Sequence, residues 1–213
     1  MTEGDAPPQS PSHAEKLRGL RWAVASETFG SAYGVLALGS ILILFLDELG
    51  LRKEQIGLLN GLIFLPGPIA LFIAPYLARF GSKRSLIVFY GARKIVAAFL
   101  ILTPGMFTAC GESVAFAYVF VVMALYGLCR VIAETAFYPW IQEFVPDQVR
   151  GQYMAVCNVV GTLASILAVV WSSYMLGSGT EISRFQVVIA VGCALGLIGI
   201  VLKSRIPGGA PLA

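Results

Sequence analysis

Apolar and polar residues alternate along this chain in long blocks. Six apolar stretches, at 22–46, 55–78, 86–109, 114–138, 154–176 and 185–202, are each close to the ~20 residues that a helix needs to cross a bilayer. The segments between them, "DELGLRKE", "RFGSKRS", "CGES", "EFVPDQVRG" and "LGSGTEISR", are polar and mostly carry Gly or Pro, the residues that turn a chain. One apolar run of this kind could be a buried helix of a water-soluble protein. Six in series with short polar links predict an all-α membrane protein of six transmembrane helices. The first twenty residues are polar and rich in Pro and Ser, with no apolar core for a cleavable signal peptide. The expected organisation is a disordered cytoplasmic tail at 1–20, a transmembrane domain at 21–203, and a polar cytoplasmic tail at 204–213.

Composition strengthens this reading. Of 213 residues, 57% are hydrophobic and only 13% charged, against about 25% charged in an ordinary soluble domain. A chain of this size cannot hide that much apolar surface from water, so its main partner is the lipid bilayer. The net charge of +3 gives no reason to expect a nucleic acid as a partner. Where the charges lie says more than their sum. The two tails and the even-numbered links hold Lys16, Arg18, Arg21, Arg79, Lys83, Arg84, Arg150, Lys203 and Arg205, whereas the odd-numbered links hold Arg52, Lys53 and Arg184. Basic residues favour the cytoplasmic side, so both termini are expected there, in keeping with an even number of spans.

Packing signals run through the apolar stretches. Gly30 with Gly34, Gly161 with Ser165, and Gly192 with Gly196 place small residues four apart, which lets helix backbones approach closely in lipid. Pro66 and Pro68 in "LPGPI" predict a kink or a break in the second helix, where proline removes backbone donors. Cys110, Cys129, Cys157 and Cys193 form no C-x-x-C pair and read as small packing residues. Trp22 and Trp140 read as interface anchors, and Trp171 as a packing residue.

Five ionisable residues stand inside the expected spans: Glu27, Arg93, Lys94, Arg130 and Glu134. At the centre of a lipid-facing helix each costs roughly 2.5–3.5 kcal/mol, so they are expected to face one another or a wet cavity. At 1.5 Å per residue, Glu27 lies about 7 Å, Arg93 about 10 Å, Arg130 about 12 Å and Glu134 about 6 Å from the cytoplasmic ends of their helices. All therefore share one half of the membrane. Arg130 and Glu134 are four apart on one helix face, which Tyr126 extends by a turn. That stripe predicts either the lining of a translocation path, with Glu27 opposite as a partner for Arg130, or a self-neutralising pair that fixes helix packing. Arg93 and Lys94 read as a cytoplasmic gate or as side chains that snorkel to the interface.

Four stretches carry a resemblance. "APYLARFGSKRSL", residues 74–86, resembles the signature loop of the major facilitator superfamily, with Arg79, Gly81, Lys83 and Arg84 in matching places. It departs from that signature at Ala74, usually Gly, and at Ala78, usually the Asp of a cytoplasmic charge lock. "CRVIAETAFYPW", 129–140, is similar to the family's fourth-helix motif through Arg130, with Glu134 in place of its Gly, and "VPDQVRGQYMAV", 145–156, resembles its turn between helices four and five through Pro146, Arg150 and Gly151. "LGLRKEQIGLL", 49–59, is similar to its first outer loop. The resemblance spans roughly residues 20 to 205. It implies one half of a major facilitator fold, built as two inverted three-helix repeats, with the first and fourth helices lining the path.

The function so expected is secondary active transport of a small-molecule substrate by alternating access, ion- or proton-coupled, at the plasma membrane. Glu27 or Glu134 would carry a coupling proton, and Arg130 would bind an anionic group or tune a carboxylate. A second six-helix half is implied, either the C-terminal half of a longer product or another copy of the chain. The alternative is a non-transporting assembly or regulatory subunit derived from such a half, which the Ala78 departure suits. Enzymatic chemistry is not expected: the single histidine, His13, lies in the polar tail, and there is no H-E-x-x-H, no Gly-rich phosphate loop and no spacing of metal ligands. No cofactor and no metal are expected.

Overall fold

The computed structural model describes residues 13–177 and 181–206, with the side chains of 13–18 and 78–80 left out. Nine α-helices follow in order among these residues: α1 (His13–Ala37), α2 (Gly39–Glu48), α3 (Lys53–Leu62), α4 (Ala70–Phe80), α5 (Ser82–Ala98), α6 (Thr103–Cys110), α7 (Glu112–Phe144), α8 (Asp147–Leu176) and α9 (Ile182–Ser204). They compose six apolar spans, Gly19–Glu48, Lys53–Leu77, Ser82–Cys110, Glu112–Phe144, Asp147–Leu176 and Ile182–Ser204. The helix begins at His13, inside the stretch expected to be tail, while residues 1–12 and 207–213 of the two expected tails lie outside the described residues.

The breaks within spans have local causes. Of the two outcomes that Pro66 and Pro68 allow, the second span breaks: α3 and α4 are separated over 63–69 by turns and a short 3₁₀ segment, Gly67–Ile69. Without water to satisfy a freed carbonyl, the chain tightens to three-residue bonds, with the Gly67 N–H donating to Phe64 O at 2.9 Å and the Ile69 N–H to Pro66 O at 2.9 Å. The third span passes through a second 3₁₀ segment, Phe99–Leu102, just before Pro104. Gly81 and Gly111 sit at φ +89° and +83° in the turns after α4 and α6, a backbone region that a side chain disfavours.

Helix neighbours follow the repeat. The first span's α1 packs on α9 and α8, and the fourth span, α7, packs on α5 and α4. Each repeat's first helix thus lies against the third and second helices of the other repeat, and α5 and α9 meet between them. Successive spans run in opposite directions, so the two three-helix repeats are inverted relative to each other. One end of the bundle gathers Arg21, Lys83, Arg84, Arg150 and Arg205 and is called the basic end below.

Glycines decide how closely these helices meet. A Cβ on Gly192 would stand 2.8 Å from Leu36 Cβ and 3.2 Å from the Ala37 nitrogen, and one on Gly199 would lie 3.2 Å from Ser26 O, so α9 lies flush on α1. Ser26 Oγ donates to Gly199 O at 2.8 Å across that seam. A Cβ on Gly161 would likewise stand 2.8 Å from Ser31 Oγ, so α8 also lies close on α1. Gly30 and Gly34 differ from expectation: a Cβ on either meets nothing within 4 Å, so that pair marks no tight contact. Gly127 does: a Cβ there would stand 2.9 Å from Leu62 O, at the point where the second span breaks.

Two apolar clusters form the core. The larger includes Tyr33, Phe45, Leu59, Met123, Tyr126 and Phe185. The smaller, at the basic end, includes Ala23, Leu86, Trp140, Phe144 and Ile206. Trp140 is 2% exposed and stacked on Phe144, so it is a core residue and not the interface anchor its position suggested. Trp22 is more exposed, with the Arg205 guanidinium 5.2 Å from its ring.

Candidate functional site

Between the two clusters lies a charged layer. On α1, Glu27 falls between Ala23 of the smaller cluster and Tyr33 of the larger; on α7, Arg130 and Glu134 fall between Tyr126 and Ala136; on α5, Arg93 and Lys94 fall between Leu86 and Ala97. Lys203 on α9 joins them, between Cys193 and Ile206. Apolar packing therefore closes the layer off along the helix axes on both sides.

Arg130 Nε donates to Glu134 Oε1 at 2.7 Å, the geometry of a short charge-assisted hydrogen bond. Arg93 Nη1 reaches the same oxygen at 3.8 Å, so one carboxylate is shared by two guanidinium groups from two helices. Arg93 also lies 3.9 Å from the Tyr90 ring and 6.0 Å from the ring of Tyr126, which is buried in the larger cluster. Arg130 lies 4.5 Å from the ring of Phe64, a residue in the interruption of the second span. The break thus supplies an aromatic face for the cation, which a continuous helix would place elsewhere.

Glu27 does not meet Arg130. Its carboxylate is 3.7 Å from Lys203 Nζ, across the α1–α9 seam. Lys203 is buried at 4% exposure and lies 4.5 Å from the Tyr90 ring and 4.8 Å from that of Phe137. Sequence reasoning counted it only among the basic residues of the C-terminal end, and its inward position has a simple cause. Side chains on a helix tilt toward its N-terminus, so a lysine in the last turn of α9 points back into the bundle. Arg93 and Lys94 do not snorkel either; they are 9% and 1% exposed, and Lys94 Nζ lies 4.1 Å from the Tyr33 ring and 5.1 Å from that of Tyr90.

The loop residues take different places. Gly81 makes the turn between α4 and α5, Lys83 is half-buried and Arg84 exposed, while the Arg79 side chain lies outside the described residues. Pro146 precedes the first residue of α8. Arg150 pairs with Asp147 at 2.6 Å, and its Nη2 donates to Gln142 O and Val145 O at 3.2 Å each. It therefore closes the carbonyl end of α7, where a cation is favoured. A Cβ on Gly151 would meet nothing, so packing does not demand glycine there.

A cavity of about 330 Å³ opens beside the charged layer between α1, α7 and α8, lined by Glu27, Ser31, Tyr153, Asn158 and Thr162 among others. A smaller one, about 100 Å³, lies between α1, α5 and α9 and shares Glu27 and Ser31 with it. Cys129, Cys157 and Cys193 carry free thiols within the bundle, and Cys110 is exposed near the end opposite the basic one. Among the described residues no three His, Cys, Asp or Glu side chains are grouped to hold a metal.

The family model described as Major Facilitator Superfamily matches residues 22–209. No curated protein and no solved structure matches the chain.

Proposed function

Because this chain belongs to the major facilitator superfamily, whose members are transporters, we propose that it works as one six-helix half of a secondary transporter. The half moves a small solute by alternating access, with Glu27, Tyr126, Arg130 and Glu134 along the path and the solute's movement coupled to an ion gradient. The observation that carries this reading is the exposure of two carboxylates deep in their spans. The side chains of Glu27 and Glu134 are each 40% exposed, about 12 Å and 15 Å from the basic ends of their spans at 1.5 Å per residue. A charge at such depth is costly against lipid and marks a wet cavity or a protein partner. A second six-helix half, from the same product or another copy, covers that face and turns it into a path. Arg93 and Lys94, in the same charged layer as these carboxylates, act as the gate of this path.

Uptake of radiolabelled solutes into proteoliposomes holding the assembled transporter tests this. Accumulation is expected, and it is expected to vanish when an uncoupler or ionophore collapses the ion gradients. Accumulation that survives their collapse overturns the coupling; no uptake by a folded, inserted assembly overturns transport and favours the regulatory subunit.

The distribution of Lys and Arg supports a cytoplasmic basic end, and the membrane proposed is the plasma membrane. Cys110 then faces outward. A membrane-impermeant maleimide added to intact cells is expected to label Cys110, and a Cys110→Ser protein to stay unlabelled. Labelling of Cys110 in inside-out vesicles alone reverses the orientation.

A further inference from the structure

The charged layer does not balance. Among the described residues it holds four cations, Arg93, Lys94, Arg130 and Lys203, and two carboxylates, Glu27 and Glu134. Glu134 is already shared by Arg93 and Arg130, and Glu27 is paired with Lys203. Lys94 is left over. It is 1% exposed, its Nζ has no hydrogen-bond acceptor, and what surrounds it is the faces of Tyr33 and Tyr90. Arg93 Nε is buried without an acceptor as well. Aromatic faces attract a cation but accept no full hydrogen bond from it. An ammonium and a guanidinium N–H kept out of water without acceptors are costly to fold and useful only if an anion completes them.

Space for that anion is present. Lys94, Arg93 and Lys203 line the cavity of about 100 Å³ together with Ser26, Glu27 and Tyr90. At about 30 Å³ per water, it has room for one carboxylate or phosphate group and not for a whole solute. The adjoining cavity of about 330 Å³, with the hydroxyls of Ser31 and Thr162 and the amide of Asn158, suits a polar body attached to such a group. Gly196 keeps Lys94 in place: a Cβ there would stand 2.8 Å from Lys94 Cδ and 2.9 Å from Tyr33 Cδ2, so α9 leaves a slot for the lysine stem.

We propose that the cavity between α1, α5 and α9 binds the carboxylate or phosphate group of a small organic anion, with Lys94 as its principal ligand and Arg93 and Lys203 completing the charge. This rests on the transport reading in that it names the class of solute carried, yet binding is measured without transport. The purified full chain in nanodiscs is titrated with succinate, glycerol phosphate and inorganic phosphate, and with glycerol and succinamide as uncharged counterparts, at constant ionic strength. The unfolding midpoint is expected to rise saturably with at least one anionic probe and with neither neutral one. Lys94→Met is expected to weaken that binding at least tenfold while its own midpoint without ligand matches or exceeds the wild type, since an apolar chain of similar length replaces an unpaired buried charge. Lys94→Arg is expected to keep most of the affinity. Anion binding that Lys94→Met leaves intact, equal binding of the neutral probes, or no saturable effect of any anionic probe overturns the proposal. Saturable anion binding by a protein that transports nothing sinks the transport reading and leaves this one standing.

Discussion

Replacing Glu134 with Gln is expected to slow solute uptake by about one to two orders of magnitude, the equivalent of about 1.5–3 kcal/mol for a charge-assisted hydrogen bond. The side chain holds two guanidinium groups on one oxygen, Arg130 at 2.7 Å and Arg93 at 3.8 Å. Without its charge, both cations lose their anchor and the registry between α5 and α7 at this level loosens. Folding is expected to suffer less, because the carboxylate is 40% exposed and part of its interaction is screened. A charge exchange separates path from packing. Arg130→Glu combined with Glu134→Arg keeps an i,i+4 pair on α7. If the pair merely fixes the helix, the exchanged protein regains both stability and uptake. If the stripe meets the solute, the exchanged protein regains its unfolding midpoint and stays inactive. Initial uptake rates and thermal unfolding of the three proteins decide between the outcomes, and a wild-type uptake rate in Glu134→Gln removes the residue from the path.

Gly192→Leu is expected to give the largest loss of folded protein of any single substitution in the apolar stretches of α9. The first added carbon already stands 2.8 Å from Leu36 Cβ and 3.2 Å from the backbone nitrogen of Ala37, and backbone does not rotate away. Overpacking of a close seam costs about 1–3 kcal/mol. Moving α9 off α1 also draws apart the Ser26–Gly199 hydrogen bond and the Lys203–Glu27 pair, two contacts on the same seam. The expected result is a lower unfolding midpoint and less monodisperse protein after extraction in mild detergent. Gly34→Ala is the informative counterpart. Its Cβ enters open space within a helix, where Ala outdoes Gly by roughly 0.5–1 kcal/mol, so the midpoint is expected to rise. Equal effects of the two substitutions would show that α1 and α9 do not meet through glycine. In sequence the two sites look alike, each one member of a pair of glycines four residues apart.

That contrast shows where sequence reading stops. The six spans and the charges within them are local properties, readable from runs of apolar residues and from the cost of a charge in lipid. The Arg130–Glu134 pair is local too, since four residues on a helix is one turn, and it stands as the spacing implied. The partner of Glu27 is not local. Arg130 matches Glu27 in depth and sign, but depth is one coordinate of three; rotation of α1 toward α9 gives the carboxylate to Lys203 instead. Lys203 itself counted only as a basic charge of the C-terminal end, because a hydropathy pattern carries no information on which way a side chain tilts. Trp140 misled for a related reason: aromatic residues near span ends line both interfaces and cores, and only its neighbours Phe144, Leu86 and Ile206 tell which. One signal was present and passed over. Lys203 lies within the last turn of an apolar helix, where the N-terminal tilt of side chains points it inward.

By itself the sequence determined that the chain is an all-helical membrane protein with six spans, that its interior charges lie in one half of their spans, and, through its motifs, which family it resembles. Each of those depends on residues near one another in the chain, or on the free energy of one residue against one solvent. The tertiary structure alone decided that α9 seats on α1, that Lys203 and not Arg130 answers Glu27, and that Lys94 stands buried with no acceptor. Those depend on the rotation and approach of helices distant in sequence, which small steric differences at Gly192, Gly196 and Gly199 set, and which no periodicity within a single helix encodes.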